Sequence, residues 1–338
     1  MPEIGLLPFA RAAMQVASAA LPTYRTRFSK HLFTQPQLLA ILCLMRYEDW
    51  TFREAEVRLR EHGELRAVLQ LSSVPDYTTV YRFLRRLPDD TIENVLAESV
   101  RRLRRSSRRG RRRAAVAVDG TGLLPHGVST YFIRRVEQQS GGRTHYRHFL
   151  KWVVVVDVDR QIVLAQQARQ GPSNDAPVLP GLLETASRTI PIGLVLADAE
   201  FDSETNHRHI RATLGALSVI PARRHGVPNG EIRYQMYRKF PHKLYGPRAK
   251  AETVFSVIKR KLSAKAPGRS LVTQIRQALL LGLAFNLYRL RHPLALRGCQ
   301  QSSISPATMQ EVENKGVARG ASWKSLKTKV QICKGISG

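Results

Sequence analysis

The chain has 338 residues, 43% of them hydrophobic, with 54 Lys plus Arg against 26 Asp plus Glu and a formal net charge of +28. That length supplies ample apolar content for one large domain or two, and the imbalance points to a polyanionic partner, DNA or RNA; charge alone equally fits a ribosomal-type protein. Three scattered cysteines, Cys43, Cys299 and Cys333, exclude a disulfide framework or a zinc site and predict a reducing, cytoplasmic setting, with Cys43 a small core residue. Arg11 interrupts a short apolar start, so no signal peptide is expected, and the most apolar stretch, 278–287, is too short to span a bilayer.

The first part of the chain reads as helical. Residues 36–47 carry leucines and an isoleucine at helix spacing, and Thr51 with Glu54 forms a capping-box pattern for a helix ending near Gly63. In VPDYTTVYRFLRRLP, Val80, Phe83, Leu84 and Leu87 make an apolar face, while Tyr81, Arg82, Arg85 and Arg86 point elsewhere. A short helix after a turn, with Arg and Tyr outward, fits the reading helix of a helix-turn-helix; a basic surface helix of a bundle is the plainer alternative. A further helix runs from about Asp90 to Leu103, and residues 1–100 are expected to form a helical DNA-binding region.

Residues 101–113 hold nine arginines: Arg101, Arg102, Arg104, Arg105, Arg108, Arg109, Arg111, Arg112 and Arg113. Like charges at this density repel, which predicts a linker or frayed helix end that neutralises phosphates without reading sequence. From Ala114 the pattern changes to strands, near 114–119, 149–157, 161–169, 193–198 and 217–221, with helices near 175–187 and 203–214. Periodicity gives an α/β domain over 114–292. Residues 222–246 read as a basic insertion or loop, and 271–290 as a buried final helix. The tail, 293–338, lacks apolar periodicity and reads as disordered.

Two strand-like runs end in a carboxylate: RRAAVAVDGTGL at Asp119 and IGLVLADAEFDS at Asp198. A third acid lies in YGPRAKAETVFSVIK, where Tyr245, Arg248, Glu252 and Lys259 stand at a spacing of Y-(2)-R-(3)-E-(6)-K. Pro247 suits the first position of a helix on which Arg248, Glu252 and Lys259 fall within a stripe roughly 40° wide. Ala251, Phe255, Ile258 and Leu262 form the adjacent docking face. Alone, this helix is as well explained by an ordinary Arg248–Glu252 ion pair. With Asp119 and Asp198 it completes the oxygen-rich donor set that Mg²⁺ or Mn²⁺ prefers.

These segments resemble the bacterial insertion-sequence DDE transposases of the group marked by the Y-R-E-K spacing, insertion-sequence families four and five. Asp119, Asp198 and Glu252 match the three metal-binding acids. Asp198, Phe201 and Asp202 match the motif around the second acid, with Phe201 in place of a more usual Tyr. HFLKWVVVVDVDRQIVLAQQARQGPSNDAPVLPGLL resembles the region between the first and second acids, and the whole likeness covers roughly residues 30–292. It implies a ribonuclease H-like catalytic domain, a mixed sheet flanked by helices, behind the all-α N-terminal region. It further implies two Mg²⁺ or Mn²⁺ ions on Asp119, Asp198 and Glu252, and phosphate contacts from Tyr245, Arg248 and Lys259. The expected partner is double-stranded DNA, both element ends and target, bound by a homodimer in the synaptic complex, with no membrane and no small-molecule substrate.

The expected activity is metal-dependent DNA cleavage followed by strand transfer. A metal-dependent endonuclease without strand transfer, or an inactive basic nucleic-acid-binding relic, stands as the alternative. Among other polar residues, Asp157 and Asp159 read as hairpin residues, and Asp175 and Asp202 as helix caps. His145, His148, His207 and His209 show no zinc pattern, and Lys151 is a plausible phosphate contact.

Overall fold

Capping chemistry sets the first helices. In the computed structural model, which describes residues 5–28, 31–105, 113–124, 149–223 and 227–301, α1 spans Leu6–Ala20 and α2 spans Gln35–Glu48. Thr34 opens α2 with a reciprocal box: its hydroxyl accepts from the Gln37 N–H at 3.2 Å, and Gln37 Oε1 accepts from the Thr34 N–H at 2.8 Å. Thr51 and Glu54 do the same for α3, Phe52–Glu61, at 3.2 and 2.7 Å, so the box read in the sequence is the one the chain makes. After α4, Gly63–Val68, Asp76 caps α5, Tyr77–Arg86, and α6 follows over Asp89–Arg105. Cys43 is buried in α2. On α5, Val80, Leu84 and the following Leu87 are buried, whereas Phe83 is only half-buried.

The sheet that follows has five strands in the order β3-β2-β1-β4-β5. They are β1 Ala114–Leu123, β2 Leu150–Asp157, β3 Ile162–Gln170, β4 Ile192–Ala197 and β5 Leu217–Val219. The first three form an antiparallel meander, and β4 and β5 add in parallel on the other side of β1. Asp157 closes the β2–β3 hairpin as expected, its Oδ1 accepting from the N–H groups of Asp159 and Arg160, both at 2.9 Å. The parallel step from β3 to β4 requires a crossover, supplied by a turn over Ala176–Val178 and α7, Leu179–Ser187. α7 packs on β2 and β3. After β4, α8 (Glu204–Arg208) runs into a wider π turn over His209–Thr213 and leads to β5. A mixed sheet with helices is compatible with the ribonuclease H-like expectation.

Three shorter helices follow: α9 Glu231–Arg238, α10 His242–Tyr245 and α11 Ala249–Lys261. A last long helix, α12, covers Leu271–Gln301. α11 lies on β1 and β2, with Ala251, Val254, Phe255 and Ile258 buried and Phe255 edge-on to Trp152 at 5.7 Å. Gly282 lets α12 approach the same face: a Cβ there would stand 3.2 Å from the Trp152 ring and closer still to Gln166. The helices and the sheet share one unit, Met1–His292; Pro293–Gly338 forms a second. Among the described residues no helix is long and apolar enough to cross a membrane.

Several expectations need correction. Arg101–Arg105 belong to α6 rather than to a linker: Arg101 and Arg102 pair with Glu98 at 3.0 and 2.9 Å, and Arg104 donates to the Thr189 carbonyl at 2.6 Å. Partnered charges do not fray a helix. The segment 222–246 carries α9 and α10 rather than running as a plain loop. Pro247 lies in a tight turn, Gly246–Arg248, just before α11. Asp202 does not cap α8; Ser203 does, accepting from the Asn206 N–H at 3.1 Å. Asp175 caps nothing either, because Lys151 and Arg169 engage its carboxylate at 2.7 and 2.5 Å. The final helix runs past 290. Arg108, Arg109, Arg111, Arg112, His145, His148, Cys333 and residues 302–338 lie outside the described residues.

One buried amide ties the helices to the sheet. Asn286 accepts from the Val163 N–H at 2.9 Å, donates to the Val163 carbonyl at 2.8 Å, and donates to Ser99 of α6 at 3.1 Å. Asn286→Leu removes these partners without removing bulk, leaving two backbone groups of β3 unpaired in a dry site. We expect a loss of roughly 2–4 kcal/mol, read as a lower urea midpoint; a midpoint equal to the wild type would refute this account of the core.

Candidate nucleic-acid cleavage site

Strand pairing brings the first two acids together. In the parallel register of β1 and β4, Val118 faces Ala197, so the next residues, Asp119 and Asp198, follow side by side at the C-terminal edge of β4. Paired residues of neighbouring strands share a face, and Asp119 is opposite Val154 on β2, two residues from Trp152. Trp152 is the residue that meets Phe255, so Asp119 projects towards the side of the sheet that α11 covers. Asp198 stands just past β4, where its Oδ1 accepts from the Glu200 N–H at 2.8 Å and opens the turn Ala199–Phe201.

The third acid arrives on α11. The turn Gly246–Arg248 packs against both β1 and β4, which delivers the helix start to the strand ends. Arg248 links the constellation: its guanidinium lies 3.7 Å from Asp119 Oδ2 and 2.5 Å from Glu252 Oε1. It also lies over the Tyr245 ring, 5.7 Å from the centroid. Burial pushes the Asp119 carboxyl up to about 6; Arg248 and the Gly120 N–H at 3.0 Å oppose the shift, and the charges of Asp198 and Glu252 add to it. Burial likewise raises the Tyr245 phenol, which senses Arg248, Asp198, Asp119 and Glu252 together. The phenol therefore keeps its proton and can donate a hydrogen bond. Lys259 is exposed one turn beyond the apolar face, and among the described residues it is given no ion-pair partner.

Three carboxylates of this kind are hard oxygen donors suited to Mg²⁺ or Mn²⁺. Among the described residues no three His, Cys, Asp or Glu side chains stand close enough to hold a metal ion as they are. The space between Asp119 and Glu252 is instead taken by the Arg248 guanidinium, and it is the donor type, three carboxylates, that suits the metal.

The remaining candidates lie elsewhere. Tyr81 of α5 meets Phe52 edge-on at 5.5 Å and Arg85 lies over it at 6.0 Å, while Arg82, Arg85 and Arg86 are exposed. Arg113 donates to the Gly215 carbonyl at 2.7 Å. Lys151, expected to meet phosphate, is instead held by Asp175 at 2.7 Å and Glu200 at 3.1 Å. His207 is buried and its ring is pushed down to about 4 by that burial, so it is neutral; Nδ1 pairs with Ser218 Oγ at 2.8 Å. Sequence reasoning missed the partners of Asp202: Arg233 binds it at 2.9 and 2.7 Å. Nothing in the local pattern singles out Arg233 among the many cations of 222–246.

The raised Asp119 carboxyl has a stability signature. Well below pH 3.8 the group is protonated folded and unfolded, and it contributes nothing; near pH 4 its effect is still small. As pH rises towards about 6 the unfolded chain ionises first, so stability falls; above that the whole cost of a buried charge is present. In chelator, Asp119→Asn should therefore raise the urea midpoint at about pH 7.5 and leave it nearly unchanged near pH 4. An equal effect at both pH values would contradict the buried-charge account.

A search of the curated proteins finds no match to this chain. A family model described as a transposase DDE domain matches residues 110–287, more than half of the 338 residues, and the match takes in β1 with Asp119, β4 with Asp198 after it, and α11 with Glu252. By that match the chain belongs to the transposase DDE domain family.

Proposed function

We propose that the chain is a transposase that binds the terminal inverted repeats of an insertion sequence and catalyses metal-dependent cleavage and strand transfer on double-stranded DNA. The observation that carries this reading is Arg248 bridging Asp119, within β1, and Glu252 where β4 ends at Asp198. Asp119, Asp198 and Glu252 would hold Mg²⁺ or Mn²⁺, two ions in all, which when bound supply Lewis-acid charge at the scissile phosphate.

The chain's own residues bind and orient. Tyr245 donates its phenolic proton to a phosphate beside the cut. Arg248 and Lys259 neutralise the backbone through charge-assisted contacts. Arg248 has a second task without DNA, offsetting the repulsion between Asp119 and Glu252. No side chain needs to form a covalent bond to DNA: a freed 3′-hydroxyl at the element end can itself attack target DNA. Joining two ends calls for a homodimer in the synaptic complex.

In this reading, residues 1–100 recognise the element ends, with Tyr81, Arg82, Arg85 and Arg86 of α5 facing the duplex. The arginines of 101–113, Arg108, Arg109, Arg111, Arg112 and Arg113 among them, supply sequence-independent phosphate contacts. Residues 114–292 perform the chemistry, and 293–338 are dispensable for it.

Alanine at Asp119, Asp198 or Glu252 should abolish cleavage of an end-bearing duplex while leaving affinity for it, measured in chelator, within about threefold. Cleavage that survives any one of these changes would sink the assignment. Cleavage without joining of the freed 3′ end to a second duplex would make the protein an endonuclease instead.

Replacing Arg82 or Arg85 by Ala should cost roughly 1–3 kcal/mol on element ends and much less on random DNA. Equal losses on both substrates, measured by competition binding at fixed salt, would remove α5 from the recognition role.

A further inference from the structure

Fifty-three residues separate Asp198 from Glu252, and the chain between them returns twice to the turn that follows Asp198. The first return is Arg223. Its N–H donates to Asp202 Oδ2 at 3.0 Å, its Nε to the Ala199 carbonyl at 3.0 Å and its Nη2 to the Glu200 carbonyl at 2.7 Å. The second is the start of α9. Arg233 forks onto Asp202, Nε to Oδ1 at 2.9 Å and Nη2 to Oδ2 at 2.7 Å. Glu204 in turn accepts from the N–H groups of Ile232 and Arg233 at 3.5 and 3.2 Å and so caps α9 from outside, Gly230 having no side chain to do so. Gly230 is held at a φ of 104°, and a Cβ there would collide with the Glu204 carboxylate.

The Asp202 side chain is wholly buried, with both oxygens engaged. His207 adds to the enclosure, its Nε2 3.9 Å from Asp202 Oδ1. Arg211 donates to Ser218 Oγ at 3.0 Å, and Ser218 Oγ pairs with His207 Nδ1 at 2.8 Å, which fixes the ring beside Asp202. A carboxylate so enclosed is unavailable to a metal. Its fixed geometry acts instead on its neighbours, because Ala199–Phe201 is the turn that Asp198 opens and α9 leads through α10 to Arg248 and Glu252.

We infer that Asp202 and Arg233 are positioning residues: their buried fork braces the turn of the second acid against the segment that delivers the third, and thereby sets the spacing of Asp198 and Glu252. The inference rests on the acid site proposed above. A brace is distinguishable from general stabilisation, since it governs cation affinity in protein that remains folded.

The test uses the full chain, with Mn²⁺ binding followed by electron paramagnetic resonance and folding by circular dichroism. Arg233→Gln should weaken Mn²⁺ binding about tenfold or more, and Arg233→Lys, which restores the charge but not the fork, should recover part of it. DNA affinity in chelator should stay within about threefold. If Arg233→Gln does not fold, Glu204→Ala decides: it removes the outside cap of α9, together with a surface pair to Arg208, and should weaken Mn²⁺ binding by a few-fold. Folded variants that bind Mn²⁺ as the wild type does would overturn the brace while leaving the acid site standing. A wild-type chain that binds no Mn²⁺ would overturn the acid site, and the brace with it.

Discussion

The pairing of β1 with β4 is the constraint on which the rest of this structure depends. β1 is flanked by antiparallel β2 and parallel β4, so its backbone is paired along both edges and its side chains are covered on both faces. That environment explains the unbroken apolar run from Ala114 to Val118, all but one of whose members are buried. Where the run ends, the first polar side chain is Asp119. β4 ends the same way at Asp198. A parallel register aligns the two endings, whereas an antiparallel one would have placed a carboxylate at each end of the sheet. The helical return from β3 through α7 is what makes the parallel register possible.

Two acids set side by side, with a third from α11, create a repulsion that the fold must offset locally. A surplus of 28 positive charges spread over the chain does little at such short range, and one placed guanidinium does much more. Arg248 is that guanidinium, and it is largely enclosed by the groups it neutralises. Behind the site a second balance is struck: Lys151 and Arg169, cross-strand partners on β2 and β3, share the buried carboxylate of Asp175, and Lys151 reaches on to Glu200. Asp119, Glu252, Asp175 and Glu200 thus each have an assigned cation, while Asp198 accepts from the Glu200 N–H. Those next to β1 and β4 differ from Asp175 and Asp202 in being reachable from solvent.

Much of this was legible in the sequence because it rests on local chemistry. The Thr51 capping box, the β2–β3 hairpin and Asp198 at the end of β4 are written in contiguous residues, whereas β1 runs on past Asp119 to Leu123 instead of ending at the acid as expected. What was not legible depends on distant partners. Asp175 and Asp202 sit where a cap is the ordinary expectation, and cations on other elements divert them: Lys151 of β2 and Arg169 of β3 for Asp175, Arg233 of α9 for Asp202. Of the arginines of α6, Arg101 and Arg102 pair with Glu98 at ordinary helical spacing, whereas the Thr189 carbonyl that holds Arg104 lies 85 residues away and could not be foreseen. Residues 222–246 looked irregular for a similar reason: α9 starts on a cap borrowed from Glu204 rather than on one of its own.

The Asn286 amide has a bearing on modularity. The boundary suggested by composition, between helical and strand-rich halves, is not a boundary in the core, since Asn286 joins α6 and β3 through a single side chain and Arg46 of α2 reaches across to the Lys265 carbonyl at 2.7 Å. Arg276 of α12 likewise holds the carbonyls that end α5, at 3.0 and 2.5 Å. A fragment beginning at β1 would lose the cover of β3 and expose these polar groups together with the apolar flank that α6 shields. The helical portion is therefore not a separately folding module that could be cut away at the arginine run. Substitution in such a chain is freest on exposed helix surfaces, while the buried side of α6 is held constant by the sheet it covers.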